Sequence, residues 1–342
     1  MNKTFLTLAL VLALGACNSD NSTTTPAAEP AASATRAAAA TPAAPVDMWT
    51  RYDEIAAGAQ RSDANKARDQ YRHPKETLQF FGLANGMNVV EITPGGGWYT
   101  ELLAPLLKGN GALTLAIFDP ASTTDEGTKK YYTTNNDKLK QKIGADAANF
   151  GEARWVEMST TEPKLGAPGS ADLVMTFRNV HNWTQDGSDG AMFKAFFDVL
   201  KPGGTLGVEE HRANAGTDAK TSAETGYLTE EYVIGLATAA GFELVEKSEI
   251  NANPKDTKDH PKGVWTLPPS LALKDQDKDK YLAIGESDRM TLKFRKPAAA
   301  GEVANPLGSG GVTSGGEAPV KGFESSTPAA AESAEATEKK RG

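Results

Sequence analysis

The chain has 342 residues, 39% of them hydrophobic, with a formal net charge of −8 and four histidines. That length suits one large domain or two small ones. The acidic balance excludes the basic face that nucleic-acid binding demands, so that class of partner is set aside.

Residues 1–17 read as a signal rather than as fold. Lys3 supplies a positive start, "FLTLALVLAL" an apolar stretch too short to span a bilayer comfortably, and "LGAC" ends it. Leu14, Gly15, Ala16 and Cys17 resemble the lipobox of bacterial lipoproteins. The resemblance implies cleavage before Cys17 and acylation there, tying the chain to the cell envelope by a lipid anchor alone. Asn18 implies the outer membrane, facing the periplasm. The competing reading is an ordinary secretory signal with an incidental cysteine. Cys17 is the only cysteine, so no intramolecular disulfide forms despite an oxidising destination. Residues 18–46, rich in Ala, Pro, Ser and Thr, read as a flexible tether, and 298–342 as a disordered low-complexity tail. Residues 47–297 remain as the folded domain.

Within it, apolar residues recur at helical spacing from Asp47 to Gln60, and Pro74 suits the first turn of a helix ending at Phe81. "MNVVEI" predicts a strand. "WYTELLAPLL" predicts a helix kinked or shortened by Pro105. "ALTLAIF" is a second strand closed by Asp119 and Pro120, and Thr124 to Ile143 a charged, helix-biased stretch. "ARWVEM" and "ADLVMTF" follow as strands, then the helix "GAMFKAFFDVL", the turn "KPGG" and the strand "TLGVEEH". A helix "LTEEYVIGLATAAG", with Thr229 as its cap in an imperfect capping box, precedes the strand "FELVEKSEI". After a long irregular segment, "RMTLKFRK" alternates as a half-buried strand does. Alternating strands and helices predict an α/β fold: a doubly wound, mostly parallel, seven-stranded sheet. No helical pattern separates the last two strands, so the final one is expected to be antiparallel.

Three stretches together resemble class I S-adenosylmethionine-dependent methyltransferases: "VVEITPGGG", "ADLVMTF" and "FFDVLKPGGTLGVEE". With "PGGGWYTELLAP", "EHRA" and "LKFRKP", residues 47–297 resemble a group of bacterial methyltransferases, many of them exported. The resemblance implies a Rossmann-like methyltransferase fold and S-adenosylmethionine as cofactor. It places Gly95, Gly96 and Gly97, after Thr93, against the amino-acid part of the cofactor, where the backbone approaches closely. Glu91 would hold the loop or the cofactor's amino group. Asp119 would reach ribose hydroxyls. Met158 and Ser159 stand where the family often has an acidic residue near the adenine. Thr93 and Pro94 stand where the family usually begins its glycine turn.

The fourth strand leads into the loop "RNVHNW", which brings Arg178, Asn179 and His181 to the cofactor edge. His181 suits a general base, or a satisfied structural histidine. "EEH" puts Glu209 and His211 on one strand face and Glu210 on the other, giving a second candidate catalytic histidine. No His-x-x-x-His or paired-cysteine spacing occurs and the histidines lie far apart, so no metal is expected. "YRHPKE" is a candidate lid over the cofactor, and 251–287 a cover for the acceptor. The expected reaction is methyl transfer to an unknown acceptor by in-line displacement. Two alternatives remain. One is an exported, non-catalytic binding protein for a nucleoside-like ligand, kept open because the cofactor is made in the cytoplasm. The other, weaker one is an NAD-type oxidoreductase, in which Thr100 occupies the place of a third glycine.

Overall fold

Apolar runs in the centre and mixed sequences towards the edges build seven strands: β1 (Asn88–Ile92), β2 (Ala112–Phe118), β3 (Arg154–Met158), β4 (Ala171–Phe177), β5 (Leu200–His211), β6 (Glu243–Ser248) and β7 (Arg289–Arg295). The structure, a computed structural model, describes residues 47–298. Cys17, the tether and all but the first residue of the tail lie outside the described residues. The strands form one sheet in the order β3-β2-β1-β4-β5-β7-β6. β1 to β5 pair in parallel, while β7 runs antiparallel to both β5 and β6. This is the doubly wound sheet with an antiparallel last strand that the sequence predicts.

Both faces of the sheet are covered, as a parallel sheet requires. Val89, Leu115 and Met175 pack with Phe81, Leu102 and Leu106 on one face. Val90, Val174, Val208 and Leu292 pack with Phe193, Phe196 and Val233 on the other.

Several elements differ from expectation for identifiable reasons. The segment after Asp47 splits into a 3-10 turn, Met48–Arg51, and a short α-helix, Tyr52–Ala57. The helix Thr100–Leu107 runs through Pro105 instead of stopping there. The carbonyl left without its intrahelical donor, that of Glu101, accepts from Gln60 Nε2 at 3.4 Å, and Pro105's own carbonyl accepts from Arg51 Nη2 at 3.3 Å. The predicted loop "RNVHNW" is mostly helix, Val180–Asp186, too short for its periodicity to register. Thr229 caps the helix Glu230–Ala239 by accepting from Tyr232 N–H at 3.2 Å. The segment before β7 holds a 3-10 turn, Gly263–Thr266, and a helix, Lys278–Ile284.

Candidate functional site

The sheet reverses its winding between β1 and β4, and the crevice beyond the carboxyl ends of these strands is where open α/β sheets bind ligands. A cavity of about 330 Å³ occupies it. Thr93, Pro94 and Gly95 enter from the turn after β1, Phe118 from the end of β2, Thr160 from beyond β3, and Asn179, Asn182 and Asp186 from beyond β4. The helix Glu126–Ala145 closes one side with Thr128, Tyr131, Tyr132, Asn135, Asn136 and Leu139.

The turn after β1 is held open by unusual backbone. Thr93 has φ 43°, Gly95 φ 57° and Gly97 φ 77°, a region costly for side chains with a Cβ. A Cβ on Gly97 would stand 2.9 Å from Leu139 Cδ1, so this glycine lets the helix Glu126–Ala145 approach the turn. Lys142 Nζ reinforces that approach by donating to the Gly96 carbonyl at 2.9 Å. Thr93 carries strain without a local reward: its hydroxyl oxygen is buried and has no hydrogen-bond partner. An orphaned hydroxyl on a cavity-lining residue asks for an explanation beyond the protein's own hydrogen bonds.

Beneath the turn, Glu91 is fully buried and accepts from Thr100 Oγ1 at 2.7 Å. Burial pushes its carboxyl up to about 7, against the lowering effect of the Thr100 bond and of Lys142 and Arg178. Glu91 therefore ties β1 to the next helix and does not line the cavity. Of the other residues expected around the cofactor, Gly96 and Gly97 shape the turn from outside the cavity lining. Asp119 follows Phe118, and one of its oxygens accepts from Ala121 N–H at 2.8 Å, capping a 3-10 turn. Met158 is buried in the core, and Ser159 Oγ pairs with Thr161; neither lines the cavity, where Thr160 stands instead.

A second cavity, also about 330 Å³, adjoins the first: Tyr131, Asn179 and Asn182 line both. Its walls include Arg68, Arg72, Arg178, His181, His211 and Glu286. Arg178, expected with the cofactor, belongs to this second cavity alone. "YRHPKE" contributes Arg72 here rather than a lid over the first cavity, while the 251–287 segment supplies Trp265, Pro268 and Pro269 as a wall.

The two histidines, 30 positions apart in sequence, lie with ring centroids 5.5 Å apart. Ligand-type atoms of His181, Glu210 and His211 fall within 4.8 Å of one another, so sequence separation does not argue against a metal at this place. Glu210 is fully buried and heavily engaged. It accepts from the backbone N–H of His181 at 3.2 Å and of His211 at 2.8 Å, and lies 3.0 Å from His181 Nδ1. With the proton on Nδ1 of His181, its Nε2 is an acceptor. Burial, then His181, Arg178, Arg289 and Arg72, hold the His211 imidazole well below 6.5, so it is neutral at pH 7.

Behind them, buried Glu209 accepts from Tyr99 OH at 3.1 Å and Arg178 Nη1 at 2.9 Å, with Arg289 Nη1 at 3.3 Å. Burial alone would raise its carboxyl, but Arg178, Arg289 and Arg72 bring it below the usual range. Glu286 is held likewise, at about 2, by Arg72, Arg289 and Arg68 against the cost of burial.

Arg68 is absent from the sequence-based candidates, and Arg72, Trp265 and Glu286 enter them only as members of the segments "YRHPKE" and 251–287, with nothing local to single them out. The helix Glu126–Ala145 did carry a signal. Thr128, Tyr131, Tyr132, Asn135, Asn136 and Leu139 recur at the spacing of one helical face, within a helix otherwise charged and exposed.

No family model matches the chain, and no curated protein matches it. Solved structures do resemble it. The crystal structure of the [4+2]-cyclase SpnF matches with TM-score 0.48 and 17% identity, over 71% of this chain and 86% of that one. An S-adenosylmethionine-dependent methyltransferase from Aquifex aeolicus matches at 0.44 and 13%, over 67% and 93%. One from Methanosarcina mazei matches at 0.44 and 13%, over 65% and 98%. Identities and TM-scores this low assign the chain neither an activity nor a ligand.

Proposed function

We propose that the protein transfers a methyl group from S-adenosylmethionine, bound in the switch-point cavity, to a small acceptor in the adjoining one. The observation that carries this reading is a strained glycine-rich turn that lines a cavity at the β1–β4 switch point with Thr93, Pro94 and Gly95, the buried Thr93 hydroxyl having no protein partner. The residues present fit such a ligand. Thr93, Asn179, Asn182 and Asp186 offer hydrogen bonds for an amino-acid moiety and a ribose, and Tyr131, Tyr132 and Phe118 offer aromatic surface for a base. Asp119 keeps a second carboxylate oxygen without a protein partner among the described residues, available to a hydroxyl of the ribose. S-adenosylmethionine, when bound, supplies an electrophilic methyl group on a sulfonium.

The chain's own contribution is alignment and proton handling. Tyr131, Asn179 and Asn182, common to both cavities, fix the boundary across which the acceptor must lie. His211, neutral at pH 7, and His181, oriented by Glu210, are the groups able to take a proton from the acceptor. Glu210 acts as a positioning residue through His181.

The proposal includes acylation at Cys17 and attachment to the cell envelope. Incorporation of labelled fatty acid that is lost in Cys17→Ser tests that part. For the activity, the full chain is incubated with methyl-labelled S-adenosylmethionine and envelope extract. Label in an extract component, reduced at least tenfold by His211→Gln, is the expected result. No transfer to any component contradicts methyl transfer. Retained cofactor binding in that case favours the binding-protein reading.

A further inference from the structure

The second cavity carries a surplus of cationic groups. Arg68, Arg72 and Arg178 line it, and Arg289 stands behind them. Four guanidinium groups meet three carboxylates, Glu209, Glu210 and Glu286, and Glu210 is taken up by His181 and by backbone N–H groups. Each lining arginine spends only one nitrogen on the protein. Arg68 Nε donates to Glu286 Oε1 at 2.6 Å, Arg72 Nε to Glu286 Oε2 at 3.1 Å, and Arg178 Nη1 to Glu209 Oε1 at 2.9 Å. The terminal nitrogens of Arg68 and Arg72, and Nη2 of Arg178, make no hydrogen bond to any described residue.

Arg72 is the telling member. It is only 4% exposed, with its guanidinium 4.6 Å from the Trp98 ring centroid. Burial, then the neighbouring Arg178 charge, lower its pKa to about 9 despite Glu286. Glu286 offsets the cost of a charge so placed only in part, and the terminal nitrogens of Arg72 keep donors to spare. The same positive surplus works against a divalent cation between His181, Glu210 and His211.

We propose that the second cavity takes an acceptor bearing an oxyanion, carboxylate or phosphate, gripped by Arg68, Arg72 and Arg178, with the atom to be methylated turned towards His181, His211 and Asn179. The acceptor role rests on the methyl-transfer reading; the anion site does not. Planar guanidinium forks suit both kinds of oxyanion, and Trp265, Pro268 and Pro269 provide an apolar wall for the ligand's body.

The test is calorimetric titration of the full chain, without cofactor, using inorganic phosphate and benzoate as probes at constant ionic strength. Two charge-assisted contacts predict saturable binding with a Kd of order 1 mM for at least one probe. Arg72→Gln is expected to weaken it at least about tenfold. Arg68→Gln is the second variant, because it leaves Glu286 paired with Arg72 and Arg289 and so preserves the fold; the same direction is expected. Lys140→Gln, at the exposed pair with Glu157, is the control and binds as the unmodified chain does. Tighter phosphate binding assigns a phosphoryl acceptor, and tighter benzoate binding a carboxylate. Failure of both probes to saturate by roughly 10 mM overturns the site, as does binding by both arginine variants equal to the control. Probe binding in a chain that does not bind S-adenosylmethionine overturns the proposed function but leaves the anion site standing.

Discussion

Replacing Glu91 by Gln gives the most quantitative check on the turn that frames the first cavity. The carboxyl is fully buried, accepts one hydroxyl hydrogen bond from Thr100, and has its pKa carried from 4.5 to about 7. A folded-state value above the unfolded one means that the unfolded chain binds fewer protons between those two values. Stability is then fully present below pH 4.5 and is lost as the pH rises through about 7. The loss amounts to about 3 kcal/mol. Glutamine preserves an acceptor for Thr100 but buries an amide donor, a cost of about 1–3 kcal/mol that does not vary with pH. The assay is urea unfolding of the full chain and of Glu91→Gln between about pH 4 and pH 8. The variant's stability relative to the parent is expected to rise by about 3 kcal/mol across that window. A relative stability that stays flat over the window refutes the claim that burial raises the Glu91 carboxyl more than Thr100, Lys142 and Arg178 lower it.

Glu286→Gln leaves Arg68, Arg72 and Arg289 short of a carboxylate and is expected to cost about 3–5 kcal/mol in urea unfolding at pH 7. In the parent chain the Glu286 carboxyl is depressed from 4.5 to about 2, so its contribution is present above pH 4.5 and is lost as the pH falls towards 2. Gly97→Ala forces a Cβ into a left-handed position against Leu139 and is expected to cost about 1–2 kcal/mol, read as a lower urea midpoint. Because His211 is held neutral to well below 6.5, its competence as a base is expected to persist as pH falls through that value. A methyl-transfer rate that halves at pH 6.5 in the parent and loses that inflection in His211→Gln would contradict this.

The sheet was legible in the sequence because its central strands β1, β2 and β4 are nearly continuous apolar runs, mostly buried, separated by glycine and proline turns. The antiparallel ending of β7 was expected from a missing helical pattern before it, although the short helix Lys278–Ile284 does precede the strand. The first cavity was legible where it depends on backbone: Thr93 and Gly95 are a local signature, and both line it. It was less legible where a residue's type suggested a role that its neighbours had already claimed. Glu91 is taken by Thr100, one oxygen of Asp119 by Ala121, and the Met158 side chain by the core. The second cavity was legible only in part: Arg178, His181, His211 and the 251–287 segment stood among the candidates, whereas Arg68, Arg72 and Glu286 join them only through long-range packing. Pro105 shows the same limit on a smaller scale. Its helix survives through Gln60 and Arg51, more than 40 residues upstream.

The most direct measurement is calorimetric binding of S-adenosylhomocysteine to the full chain, compared with Thr93→Val and Asn179→Ala, in preparations with matching circular dichroism. Saturable binding by the parent, weakened about tenfold or more in both variants, is the predicted result. No binding by the folded parent, or equal binding by all three, would contradict placement of the cofactor at the β1–β4 crevice.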